Sequence, residues 1–382
     1  MRLLIAGGGT GGHIYPALAV AQSLRARSEA DVRWLGGHRG LERAIVGAAG
    51  IPVQRLLLRS LRTTERDIHL ALDPLRLGAS VAQASAILAR QRPAAIFTTG
   101  GYTAIPVLMA AAPMRIPVVM WEGNVVPGRS VRATARLADV LAVSFAATCA
   151  AVRAGGPCYV TGTPIRDLRG LDREAARARF GIPPGDRMLL VFGGSQAVRR
   201  FNTAVAEALP RLVERMHLVH VTGDEGYAAA LAGREALPAE RRERYRPEAF
   251  LSDDMALALG AADLVVGRAG SSTLAEVTAL GLPMIVVPYP HAAGHQRANA
   301  HVLADAGAAL LVEDEAFDGA ALLAATALLD DLAAHARMAA ASRSLGRPAA
   351  ADAVAELVLA AAERRPLPDP EVIGRLSRGG AG

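Results

Sequence analysis

The stretch Arg2-Leu-Leu-Ile-Ala-Gly-Gly-Gly-Thr-Gly-Gly-His13 decides the fold. Four apolar residues in a row suit a short strand covered on both faces, and the glycines after it permit a tight turn into a helix. The same grammar returns at Arg187-Met-Leu-Leu-Val-Phe-Gly-Gly-Ser195. Two such openings in one chain predict an α/β protein of two Rossmann-like domains. A cleft would lie between the carboxyl edges of their sheets, where ligands of such folds bind.

Working outward, short β-branched runs alternate with alanine-rich helical stretches along the whole length, the pattern of a parallel sheet. The first half predicts strands at residues 2–6, 32–35, 53–58, 95–98, 117–121, 140–143 and 159–161, with helices such as 16–27 and 75–90 between them. The second half predicts strands at 188–192, 218–222, 264–266, 284–287 and 309–312. The expected division is a first domain over 1–163 and a second over 164–345. A helix over 346–364 would cross back onto the first domain, and a Gly- and Arg-rich tail over 365–382 would be flexible.

Composition narrows the chemistry. The chain has 382 residues, a formal charge of +6 and no lysine, so its basic residues are all arginine. A Walker-A phosphate loop and a Schiff-base nucleophile both require lysine and are excluded. With 52% hydrophobic and 20% charged residues the chain reads as globular. A pI near 10.0 asks for an acidic partner: nucleic acid, anionic lipid or a phosphorylated ligand. Only 4% of residues are aromatic, and no basic–aromatic interleaving suggests stacking on bases, so nucleic acid ranks last. Two cysteines, Cys149 and Cys158, lack zinc spacing and fit a reduced, cytoplasmic setting. The first apolar run is broken by glycine too early for a secretory signal.

Three glycine loops carry the candidate chemistry. The first, residues 7–13, satisfies G-x-G-x-x-G, but the following strand ends in Trp34-Leu-Gly-Gly-His-Arg39, with no acid to hold a ribose, though Arg39 could serve a 2′-phosphate. What remains is a run of backbone N–H groups at a helix start, an anion site. His13 beside it has the pKa range of a general base. The second loop, Phe192-Gly-Gly-Ser-Gln-Ala197, offers the Ser195 hydroxyl. The third, Arg268-Ala-Gly-Ser-Ser-Thr-Leu-Ala-Glu276, offers Ser271, Ser272 and Thr273, with Glu276 one turn in, where a carboxylate can take two sugar hydroxyls. Three anion-binding loops, with neither a metal-ligand cluster nor a cofactor motif that holds up, suggest a nucleotide sugar.

The ordered set GGTGGHIYPALAVA, WEGN, TGTPIR, FGGSQ, FLSDDM, RAGSSTLAE and His295-Gln-Arg-Ala-Asn299 resembles the MurG family of peptidoglycan glycosyltransferases over most of the chain. The resemblance implies a GT-B fold and inverting transfer of N-acetylglucosamine from UDP-N-acetylglucosamine to lipid I, the undecaprenyl-diphosphate-linked muramoyl pentapeptide, giving lipid II. It implies Thr10, Gly11, Gly12 and His13 at the donor sugar and acceptor diphosphate. Asn124 would meet the N-acetylglucosamine, Arg166 and Ser195 the donor diphosphate, Leu251 the uracil, Glu276 the ribose and Gln296 sugar hydroxyls. No Asp-x-Asp stands in the first half and Asp253-Asp254 reads as a helix N-cap pair, so neither a metal nor a cofactor is expected. Two departures stand out: Gly123 removes a glutamine amide usual in the family, and Ala197 replaces a glycine.

The base that deprotonates the acceptor 4-hydroxyl is expected to be His13, with Glu122 second. Arginines and leucines over residues 59–66 and 70–77 suggest docking to an anionic membrane, peripherally on the cytoplasmic face. The resemblance also leaves room for other cell-wall and division proteins as partners. The rivals are a non-hydrolysing UDP-N-acetylglucosamine epimerase and an NAD(P)-linked oxidoreductase.

Overall fold

The first sheet has seven parallel strands: β1 (Arg2–Ala6), β2 (Asp31–Gly36), β3 (Val53–Arg55), β4 (Ala95–Thr98), β5 (Val118–Glu122), β6 (Val140–Val143) and β7 (Cys158–Val160). Their spatial order is β3-β2-β1-β4-β5-β6-β7. Helices α1 (Gly11–Arg27), α2 (Glu42–Ala48), α3 (His69–Gln91), α4 (Ala104–Ala111), α5 (Arg129–Thr134) and α6 (Ala146–Ala151) make the crossovers. Alternate residues of a strand face opposite sides. Leu3 and Ile5 accordingly join one buried cluster with Ile14 and Leu24 of α1, while Leu4 and Ala6 join another with Leu88 and Leu108. The computed structural model describes residues 1–8, 11–37, 42–58, 69–193, 199–252, 254–292 and 294–380.

The second sheet repeats the plan with six parallel strands: β8 (Met188–Phe192), β9 (His217–Val221), β10 (Tyr245–Glu248), β11 (Leu264–Gly267), β12 (Met284–Val286) and β13 (Ala309–Leu311), in the order β10-β9-β8-β11-β12-β13. Around it lie α7 (Arg173–Arg179), α8 (Arg199–Arg215), α9 (Gly223–Glu235), α10 (Met255–Ala261), α11 (Ser271–Leu280), α12 (His295–Asp305), α13 (Gly319–Thr326) and α14 (Leu332–Leu345). The chain then returns to the first sheet with α15 (Ala350–Ala362) and α16 (Pro370–Ser377). The two compact units are Met1–Asp167 with Arg347–Gly382, and Leu168–Gly346.

Several expectations need correcting. The tail is not structureless over 370–377: it forms α16, which buries Ile373 completely, and the Tyr159 hydroxyl donates to the Pro368 carbonyl at 3.0 Å. An apolar contact every few residues suffices to dock a helix, even in a Pro- and Arg-rich sequence. Ile373→Val should therefore cost about 0.5–1.5 kcal/mol, read as a lower denaturant midpoint. Cys149 and Cys158 are bonded to each other and not free, because α6 and β7 bring their Cα atoms to 5.9 Å. Asp254 stands at the start of α10 but makes no capping bond; its carboxylate pairs with Arg179 at 2.6 Å. Helix α1 begins at Gly11, before Pro16, whose missing N–H gives up only the bond to the Gly12 carbonyl. Strand β10, Tyr-Arg-Pro-Glu, escaped the sequence reading. It is an edge strand with one neighbour, so Pro247 and the charged residues are tolerated there.

Candidate functional site

In a doubly wound sheet the strand order reverses at one point, and the loops leaving the two strands there part to admit a ligand. The reversal lies between β1 and β4 in the first unit, and between β8 and β11 in the second. Most of the described residues singled out by sequence sit at the ends of these strands or their neighbours, or in the helices that follow them.

In the first unit the chain leaves β1 through Gly7 and Gly8, and α1 opens with Gly11, Gly12 and His13. His13 Nδ1 lies 2.8 Å from the carbonyl oxygen of Thr99, just past β4. A carbonyl only accepts, so Nδ1 carries the hydrogen and Nε2 carries the basic lone pair. Thr99 Oγ1 returns a bond to the His13 carbonyl at 3.1 Å. This reciprocal pair straddles the reversal and fixes the imidazole. Where the chain after β4 passes the Gly8 carbonyl, Gly101 has φ +79° and no side chain; a Cβ there would stand 3.2 Å from that oxygen.

Glu122 ends β5 and is only 5% exposed. Its Oε1 accepts from the Asn124 backbone N–H at 2.9 Å and from Asn124 Nδ2 at 3.0 Å, and its Oε2 accepts from the Gly128 N–H at 2.8 Å. Three donors on one carboxylate shape the loop that carries Asn124. Arg166 is exposed near the end of the same unit. Thr10 and the arginines of 59–66 lie outside the described residues.

In the second unit the chain leaves β11 through Gly267 and Arg268 into α11. Gly270 stands at the N-cap and has no side chain to cap the first-turn N–H groups of Ser271, Ser272 and Thr273. The Ser272 hydroxyl is buried without a hydrogen-bond partner among the described residues. Glu276, five residues after Ser271 in the sequence, is buried on the same helix. Gln296 Oε1 accepts from the Tyr289 N–H at 2.9 Å, which leaves its Nε2 hydrogens for other partners. Leu251 is buried at 5% exposure, whereas the adjacent Phe250 is 55% exposed. Ser195 and Asp253 lie outside the described residues.

Two residues of this unit drew no role in the sequence reading. Arg268 is buried, bonded to Asp314 at 2.5 Å and to the Val287 carbonyl at 3.2 Å. Its guanidinium lies 4.5 Å from the Phe201 ring centroid and 5.4 Å from that of Tyr289. Asn299, fully buried, donates to the Ala269 carbonyl at 3.2 Å. Together they brace the turn into α11 from both sides. An arginine ending an apolar strand was the available signal, since such a charge must find a partner. Among the described residues no three His, Cys, Asp or Glu side chains gather as metal ligands.

Residues 3–143 match the glycosyltransferase family 28 N-terminal domain, and residues 188–356 match the family's C-terminal domain. The UDP-N-acetylglucosamine--N-acetylmuramyl-(pentapeptide) pyrophosphoryl-undecaprenol N-acetylglucosamine transferase of Desulforudis audaxviator is 40% identical over 94% of this chain and 98% of its own. The Moorella thermoacetica protein of the same name is 37% identical over 95% and 100%. The crystal structure of Acinetobacter baumannii MurG has a TM-score of 0.76 and 27% identity, covering 94% of this chain and 99% of that one. The architecture is the GT-B fold. A Listeria monocytogenes protein assigned as a UDP-N-acetylglucosamine 2-epimerase reaches a TM-score of 0.69 at 16% identity, covering 96% and 98%, a likeness of fold alone.

Proposed function

The chain belongs to the MurG family within glycosyltransferase family 28, and from that premise we propose that it moves N-acetylglucosamine from UDP-N-acetylglucosamine to the 4-hydroxyl of the muramoyl sugar of lipid I, forming lipid II for the cell wall. The observation that carries this reading is the oriented His13 imidazole at the first switch point, the kind of base an inverting transfer to a hydroxyl requires.

In the proposed step the acceptor oxygen bonds to the sugar C1 as the bond from C1 to the UDP phosphate oxygen breaks. His13 Nε2 takes the hydroxyl proton, and UDP leaves with the electron pair. Charge growing on the diphosphate meets the open N-terminus of α11, the hydroxyls of Ser271, Ser272 and Thr273, Ser195 and the Arg166 guanidinium. Glu276 takes the ribose hydroxyls, Phe250 with Leu251 frames the uracil, and Asn124 and Gln296 contact the sugar. Thr10, Gly11 and Gly12 face the acceptor diphosphate. Glu122 serves here by shaping the Asn124 loop, since three N–H groups already occupy its carboxylate.

Labelled UDP-N-acetylglucosamine incubated with and without a lipid I analogue tests the reading. UDP released only with acceptor supports it, whereas acceptor-free conversion of the donor to its 2-epimer would hand the site to the epimerase.

The acceptor lies in a membrane, and among the described residues no single helix is long and apolar enough to cross one. We place the protein peripherally on the cytoplasmic face. Leu57 and Leu75, 62% and 72% exposed, come before and after residues 59–66 in the sequence and offer apolar contact to a bilayer. Leu75→Glu should weaken binding to anionic vesicles by about five- to thirtyfold, the worth of about 1–2 kcal/mol of lost burial. Binding indifferent to that change, to salt and to anionic lipid would remove this surface from consideration.

A further inference from the structure

One short helix supports the Asn124 loop from behind. Of the six residues of α6, Thr148 alone is buried, at 0% exposure. Its Oγ1 donates to the Asn124 carbonyl at 2.9 Å. A helix this short has little stability of its own, and Ala146, Ala147, Ala150 and Ala151 supply little apolar area to hold it. Val152 enters the core only after the helix has ended. Within the helix the anchor is Cys149, the residue next to Thr148, bonded to Cys158 at the start of β7, the edge strand of the sheet. Both cysteines are half-buried, within reach of a small reductant.

We propose that Thr148 is a positioning residue for the Asn124 loop and that the Cys149–Cys158 bridge holds Thr148 in place, so that opening the bridge weakens donor binding. The proposal rests on the reading of Asn124 as a sugar contact. The opening step is thiol–disulfide exchange with a dithiol. One thiolate attacks a bridge sulfur, the second displaces the mixed disulfide, and the dithiol leaves as its own disulfide. Two electrons and two protons pass to the protein, which ends with two thiols.

The test compares the oxidised and dithiothreitol-treated enzyme with Cys149→Ser/Cys158→Ser, Thr148→Val, Thr148→Ser and Asn124→Ala. The readouts are kcat, KM for UDP-N-acetylglucosamine and amide hydrogen exchange over residues 124–128. Reduction and the double serine variant should each raise KM about tenfold, the worth of one lost hydrogen bond, with kcat nearly unchanged and exchange faster. Thr148→Val should show the same KM in either redox state, and Thr148→Ser should restore the low value. Unchanged exchange on reduction overturns the proposal. So does an unchanged KM where Asn124→Ala raises it. Faster exchange on reduction, with KM indifferent both to reduction and to Asn124→Ala, upholds the strap and removes Asn124 from the sugar site.

Discussion

His13→Ala is expected to lower kcat by about 10²–10⁴-fold, the usual worth of a positioned general base, and to leave donor affinity within about threefold. The expectation follows from geometry. The Nδ1 hydrogen is committed to the Thr99 carbonyl at 2.8 Å, so the basic nitrogen is Nε2 and the ring cannot rotate freely to exchange the two. The imidazole is half-buried in the first turn of α1, where removing it opens no large core cavity. A sharper form of the experiment is His13→Asn, whose side-chain amide can still donate to Thr99 but has no basicity near neutrality. Turnover should be lost equally in both variants, with UDP binding followed by calorimetry as the control. Near-normal turnover in either one would end the base assignment.

The second large effect concerns stability. Arg268→Met should destabilise the second unit by about 3–5 kcal/mol, the range for breaking a buried ion pair. A guanidinium at this place bonds Asp314 and the Val287 carbonyl and stacks against Phe201 and Tyr289, so its loss unties the ends of β11, β12 and α8 together. Arg200 still faces Asp314 at 3.0 Å, which puts the expected value toward the lower end. For a unit of this size that lowers Tm by roughly 6–12 °C. A shift within about 2 °C would show that the network contributes little. Because α11 leaves directly from this turn, donor KM should rise at temperatures well below the new Tm.

The fold was legible where burial is two-sided. Ala95–Thr98, Val140–Val143 and Met188–Phe192 were read with their observed limits, because a central parallel strand must be apolar on both faces. Strand β10 was not legible: one neighbour leaves room for Arg246, Pro247 and Glu248, and no apolar run survives. Helix α16 failed for a related reason, since Ile373 and the Tyr159–Pro368 bond that seat it lie far apart in sequence. Toward a candidate site the sequence offered three glycine loops, because backbone N–H clusters need glycine and small hydroxyl residues at fixed places; residues 194–198 of the second lie outside the described residues. The partners of the described segments were not legible. Nothing in Glu122 itself says that three N–H groups converge on it, and a sequence separation of 9 between two cysteines does not disclose a Cα separation of 5.9 Å. These are contacts between separate segments, and only the folded chain brings them together.

The return of the chain to its first sheet also orders events during synthesis. Leu357, Val358 and Ile373 belong to the same buried cluster as Leu3, Ile5 and Trp34. On the ribosome the first unit therefore emerges first but lacks the cover of one face until residues 347–377 have been made. The second unit, Leu168–Gly346, is one uninterrupted stretch with its own core. At ordinary elongation rates its synthesis takes roughly 10–40 s, and throughout that time part of the Leu3–Ile5 face waits uncovered. The half of the protein begun first is the half finished last, and a nascent-chain chaperone would find its apolar target there.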